Sequence, residues 1–138
     1  EGFDAYGIDI SESAIEYSTN RLKQEGLSAK LMVGSIMELP YPDTNFDLII
    51  DRGTLTCLSV SNNQQCIGEI HRVLNLNGKF LFNGYSHKHS SNTAYNGWVD
   101  EATRGNLKGI KGLQFFDKND LNFRKLNNRI LTVYGGGI

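Results

Sequence analysis

The sequence contains no run of about 18 apolar residues, the length at which a helix could cross a bilayer, and no surplus of either charge. Fourteen Lys and Arg stand against fifteen Asp and Glu, a formal charge of -1. The first absence excludes a membrane-spanning helix within these 138 residues. The second removes the long-range field and the basic stripe by which proteins gather on nucleic acid or anionic membranes. The expected partner is therefore a small molecule, with neither nucleic acid nor membrane involved. Cysteine is scarce too. Cys57 and Cys66 form no CxxC pair and have no histidine at ligand spacing, which argues against a zinc site or a disulfide framework and leaves reduced, cytoplasmic thiols as the expectation. Repeats and low-complexity tracts are absent. The length fits one domain with a proper core. The first residues, Glu1-Gly2-Phe3-Asp4, are neither an initiating Met nor a signal peptide, so the chain is expected to begin inside its domain.

What is present is an alternation of short apolar runs and amphipathic stretches. Residues 5–10 read as a strand. A helix follows with Ile15 and Leu22 on one face and Gly26 at its end, capped by a Ser13–Glu16 box with Ser11 as the competing N-cap. Residues 29–36 read as a second strand, 38–45 as a loop marked by Pro40 and Pro42, and 46–51 as a third strand, almost continuously hydrophobic. The spacing of Ile67, Ile70, Val73 and Leu74 predicts a helix over 63–74, with Gly78 as terminator, and residues 79–85 are a fourth strand. Residues 86–112 are polar and glycine-rich without clear periodicity, and read as a long loop or lid. A helix over 117–126 and a strand over 129–134 complete the pattern, before a Gly135 to Gly137 tail. This order gives an α/β fold: a Rossmann-like parallel sheet with helices on both faces.

In such sheets ligands lie beyond the carboxyl ends of the strands. The first strand ends at Asp9, a carboxylate able to accept both hydroxyls of a ribose; the alternative is a helix N-terminal acid favoured by the dipole. The segments GIDIS, GSIMELPYPDTNFDLIIDRGTL and EIHRVLNLNGKFLF, in this order and spacing between about residues 5 and 85, together resemble the class I methyltransferases of the type 11 or type 25 groups.

The resemblance implies S-adenosylmethionine as cofactor and methyl transfer to a small-molecule acceptor. It implies Asp9 on the ribose, Ile10 packed on adenine, Ser35 and Ile36 beside the adenine edge, and Asp51 and Arg52 lining the cofactor and the substrate mouth. Ser35 departs from the family, which more often has Asp there. Arg52 has a bland alternative, a surface cation paired with Asp51 or Glu69. If the acceptor must lose a proton, Asp51 or His87 is the candidate base. His87 and His89, in a polar loop, read as solvated, with no metal assigned. Tyr95 and Trp98 could cap an apolar substrate or simply pack on the domain edge. The implied division is one partial methyltransferase domain over 1–138: a cofactor-binding core over 1–85, a substrate loop or lid over 86–112, and a C-terminal helix and strand over 113–138.

The glycine-rich turn should precede the acid by about 20 residues, so this turn and the family's first, central strand are expected to lie upstream of Glu1. The chain alone is then expected to bind cofactor poorly and to be inactive. Two other readings stand beside methyl transfer: an NAD(P)-dependent Rossmann-fold reductase, disfavoured because Tyr85-Ser86-His87-Lys88 is one residue short of Tyr-x-x-x-Lys, and a non-catalytic methyltransferase-like remnant.

Overall fold

The computed structural model describes residues 2–93 and 97–116, together with the backbone of a strand at 130–135. The chain divides into two compact units, Glu1–Leu39 and Pro40–Ile138.

The first unit is a strand, helix, strand crossover. β1 (Tyr6–Asp9) and β2 (Lys30–Val33) pair in parallel, Tyr6 opposite Lys30 and Asp9 opposite Val33, and α1 (Glu12–Gln24) connects them. The strands are shorter at both ends than the apolar runs imply. Ser11, and not Ser13, caps α1: it is extended (φ -87°, ψ 114°) and its Oγ accepts the Ala14 N–H at 3.2 Å. The chain must turn at once after Asp9, so Ser13 falls inside the helix, where its hydroxyl meets that of Ser11 at 3.0 Å. Gly26 ends the helix as expected, in the left-handed conformation (φ 67°), and the Leu27 N–H then closes onto the Leu22 carbonyl at 2.8 Å.

The second unit is built around one long strand. β3 (Phe46–Arg52) leads through a single 3-10 turn (Leu55–Cys57) to α2 (Val60–Val73), which runs into β4 (Leu74–Ser86). β5 (Trp98–Glu101), β6 (Lys111–Phe116) and β7 (Ile130–Gly135) follow. β3, β6 and β7 all pair with β4 in parallel, and β5 pairs antiparallel with β6. Every second residue of β4 is buried over Phe80, Phe82 and Gly84, and α2 packs on this strand with Cys66, Ile67, Ile70 and Val73 buried. The Phe82 ring stacks on Phe80 at 6.3 Å and meets Phe116 edge-on at 5.0 Å. On the other face of β3, Leu48 and Ile50 are 51% and 60% exposed. The helix expected over 117–126 lies outside the described residues. None of the described helices is long and apolar enough to cross a membrane.

Three expectations are corrected here. α2 starts at Val60, capped by Ser59, three residues before the apolar repeat becomes visible. β4 starts at Leu74 instead of Lys79; Gly78, expected as the terminator, lies within a continuous strand that slips register there, since Phe46 pairs with Leu74 and Leu48 with Lys79. Gly78 is buried there, and a Cβ on it would lie 2.9 Å from the Phe46 carbonyl oxygen, so the close approach of backbone explains the glycine. Residues 86–112 are not one long loop. They contain β5, and Val99 and Ala102 join Leu113 and Phe115 of β6 in a small core onto which Tyr85 and Leu107 pack. Its apolar residues are too widely spaced to show a period.

Arg72, in the last turn of α2, ties the chain preceding β3 to the helix. Its guanidinium holds both Glu69 oxygens at 2.8 Å, Asp43 at 3.0 Å and the Tyr41 carbonyl at 2.7 Å.

Candidate active site

In the first unit, four of the expected residues gather at the carboxyl ends of β1 and β2. The Gly34 N–H donates to the Asp9 carbonyl at 2.9 Å, which brings Ser35 and Ile36 alongside the tip of β1. The Asp9 carboxylate is exposed and accepts the Ser11 N–H through Oδ1 at 2.8 Å. Ile10 is 81% exposed, an open apolar surface beside a carboxylate. Ser35 Oγ accepts the Met37 N–H at 3.1 Å, which leaves its own hydroxyl proton to donate. Acceptor, apolar platform and small hydroxyl together suit a nucleoside, and the adenosine part of S-adenosylmethionine fits this donor set.

In the second unit, the end of β3 separates Asp51 from Arg52. Asp51 is only 5% exposed, and its two oxygens accept the N–H groups of Thr54 at 3.0 Å and Leu55 at 3.3 Å. Gly53, at φ 97°, supplies the left-handed step that swings those amides back onto the carboxylate. Burial pushes the Asp51 carboxyl up from its ordinary range, against the pull of the Leu55, Thr54 and Gly53 amides. Asp51 thus anchors the turn leading to Leu55–Cys57. Arg52, one residue on, is exposed, and neither pairing foreseen for it occurs: Asp51 is held by the turn and Glu69 by Arg72.

Arg52 lines an open cleft of about 240 Å³ with Gly53, Thr56, Asn83, Gly84 and Tyr85. Thr56, Asn83 and Tyr85 were not singled out as site residues from the sequence. Their signal was available for two of the three, because Asn83 and Tyr85 close the strand paired with β3, and Arg52 sits opposite Asn83 in the register. Thr56 is reached only through the turn that Asp51 holds.

The two histidines behave differently from each other. His87 is half-buried, and its backbone N–H donates to the Phe116 carbonyl at 2.8 Å. His89 is not solvated: it is 6% exposed, its ring 5.4 Å from Tyr85 and 5.6 Å from Phe115, with Nδ1 accepting the Ser91 N–H at 3.1 Å. Trp98 is half-buried and donates its indole N–H to Asp100 at 2.9 Å. Tyr95 lies outside the described residues. Cys66 is fully buried, and burial together with the Asp51 carboxylate pushes its thiol up to about 11, whereas Cys57 is exposed. A thiol reagent at pH 8 should therefore label Cys57 within minutes and Cys66 only on unfolding. Mass mapping of labelled peptides checks this, and early labelling of Cys66 would contradict the packing of α2.

The methyltransferase domain family matches residues 1–128, and the chain belongs to it. A demethylmenaquinone methyltransferase of Geobacillus kaustophilus is 34% identical over 71 residues, 51% of this chain and 30% of that one. EEF1A lysine methyltransferase 2 of Homo sapiens is 35% identical over 82 residues, 54% and 35% of the two chains. The chain spans less than half the length of these relatives. Among solved structures, a SAM-dependent methyltransferase of Methanosarcina mazei superposes with a TM-score of 0.72 over 88% of this chain and 66% of that one, at 20% identity, a likeness of fold. The Rossmann-like α/β reading stands, and the family match decides against a reductase.

Proposed function

We propose that this chain forms the cofactor-binding core of an S-adenosylmethionine-dependent methyltransferase acting on a small-molecule acceptor. The observation that carries the reading is the grouping of Asp9, Ile10, Ser35 and Ile36 at one end of the β1–β2 pair, within a chain of the methyltransferase domain family. Asp9 takes the ribose hydroxyls, Ile10 and Ile36 flank the adenine, and the Ser35 hydroxyl reaches its edge. When bound, S-adenosylmethionine supplies a methyl group on a cationic sulfur that leaves as a neutral thioether. The chain's part is to bind and align, for which proximity and orientation provide on the order of 7–11 kcal/mol.

In the second unit, Asp51 fixes the turn whose Gly53 and Thr56 line the cleft. With both oxygens committed to backbone amides, it is poorly placed to remove a proton, and His87 is the better candidate base for an acceptor that must lose one. The relatives named above are called after a quinone precursor and a protein lysine, so they support methyl transfer in general. The modest cleft supports the small molecule.

Calorimetric titration of S-adenosylhomocysteine into the full-length gene product, with NADH as the competing ligand, tests the reading. Micromolar binding of the first and none of the second is the expected result. A folded protein that ignores S-adenosylhomocysteine would sink it and leave the non-catalytic remnant.

A further inference from the structure

We propose that the cleft between the ends of β3 and β4 recognises an anionic group, a carboxylate or a phosphate-type oxyanion, through Arg52. This inference rests on the methyltransferase reading and adds the charge of what the site must hold. Among the described residues the Arg52 side chain makes no hydrogen bond or ion pair, although a guanidinium carries five donors. The two acids nearest in sequence or in expectation are spent elsewhere: Asp51 points under the turn and is bound by two amides, and Glu69 is forked by Arg72. Among the described residues no acid lines the cleft. Its remaining polar groups, Thr56, Asn83 and Tyr85, are neutral hydrogen-bonding side chains, and Thr56 already donates to the Gly53 carbonyl. The described lining is thus electropositive, with hydrogen-bonding groups of Asn83 and Tyr85 beside Arg52. A planar guanidinium matches the geometry of a carboxylate or phosphate, and such charge-assisted bonds are about twice as strong as neutral ones. A cationic amine would meet no counter-charge among the described lining residues. The anion is an acidic group on the acceptor.

The test uses the full-length gene product with Arg52→Gln and Arg52→Lys. Lys79→Gln, an equal loss of charge on β4 four residues before Asn83 and outside the cleft, is the control. S-adenosylhomocysteine and 5′-methylthioadenosine, which lacks the carboxylate, are titrated into each. Inorganic phosphate and benzoate are then titrated into the protein saturated with S-adenosylhomocysteine. A loss of S-adenosylhomocysteine affinity of about tenfold to a hundredfold in Arg52→Gln, with methylthioadenosine unchanged, assigns Arg52 to the cofactor and overturns the proposal of an acidic acceptor. If Arg52 holds the acceptor, S-adenosylhomocysteine is unaffected, and phosphate or benzoate binding disappears in Arg52→Gln and returns in Arg52→Lys. Arg52→Gln indistinguishable from Lys79→Gln in every titration overturns the proposal. Should the unmodified protein bind neither nucleoside, the methyltransferase reading fails separately. Phosphate and benzoate titrated into the ligand-free protein then decide Arg52 alone: binding lost in Arg52→Gln upholds the anion site, and binding absent or unchanged overturns it.

Discussion

Replacing Asp9 with Ala should weaken S-adenosylhomocysteine binding by at least about 100-fold while leaving the protein folded. Each hydrogen bond from a ribose hydroxyl to an ionised carboxylate contributes roughly 1.5–3 kcal/mol, and two are removed together. The structural cost is small, because Asp9 is exposed and, among the described residues, its side chain accepts only the Ser11 N–H. That bond helps the turn into α1, but Ser11 caps the helix independently. Asp9→Asn should lie between the two, since the amide keeps one acceptor and loses the charge. Calorimetry reads the affinities, and a denaturation curve within about 1 kcal/mol of the unmodified protein separates binding from folding. An Asp9→Ala affinity within threefold of the original would return Asp9 to the humbler role of a helix N-terminal acid.

The largest effect on stability is expected from Phe82→Ala, a loss of about 3–5 kcal/mol, which is a large fraction of the roughly 5–15 kcal/mol that holds a domain together. Phe82 is fully buried, stacked on Phe80 and set edge-on against Phe116, so one truncation removes a ring that links β4 to β6. Collapse around the cavity is restricted by the neighbouring backbone: a Cβ on Gly84 would already overlap the ring, so the chain there is packed to contact. Leu76→Ala on the same strand, at a side chain 83% exposed, should change stability by no more than about 0.5 kcal/mol. Urea midpoints at unchanged slope provide the comparison. A Phe82→Ala cost below 1 kcal/mol would mean that β4 is not the centre of this core.

The sequence was most legible where burial and period agree. The runs that became β1, β2 and β3, the apolar stripe of α2 and the closing Gly26 each follow from one local rule. The end of β1 was legible as well, because Asp9 closes the apolar run and the strand stops there. Elsewhere, distant partners overrode local appearance. Asn75, Asn77 and Gly78 look like a turn, yet pairing with β3 carries the strand straight through them with a slip of register. His89 looks like a loop histidine until Tyr85 and Phe115 enclose it. Asp51 and Arg52 are adjacent and equally polar, and only the geometry of the turn tells the anchor from the free cation. The helix placed over 117–126 falls outside the described residues.

The Arg72 clamp also bears on the order in which the second unit can assemble. The guanidinium at the end of α2 reaches back 31 residues to the Tyr41 carbonyl, while the amides of Thr44 and Asn45 bond to the carbonyls of Arg72 and Val73. The segment leading into β3 is made first along the chain, yet its position is fixed by groups that exist only after α2 has formed. Closing a loop of that length carries an entropy cost that no local contact offsets beforehand. Residues 41–45 should therefore be among the last parts of this unit to dock, so that the clamp governs how slowly the unit unfolds more than how fast it folds.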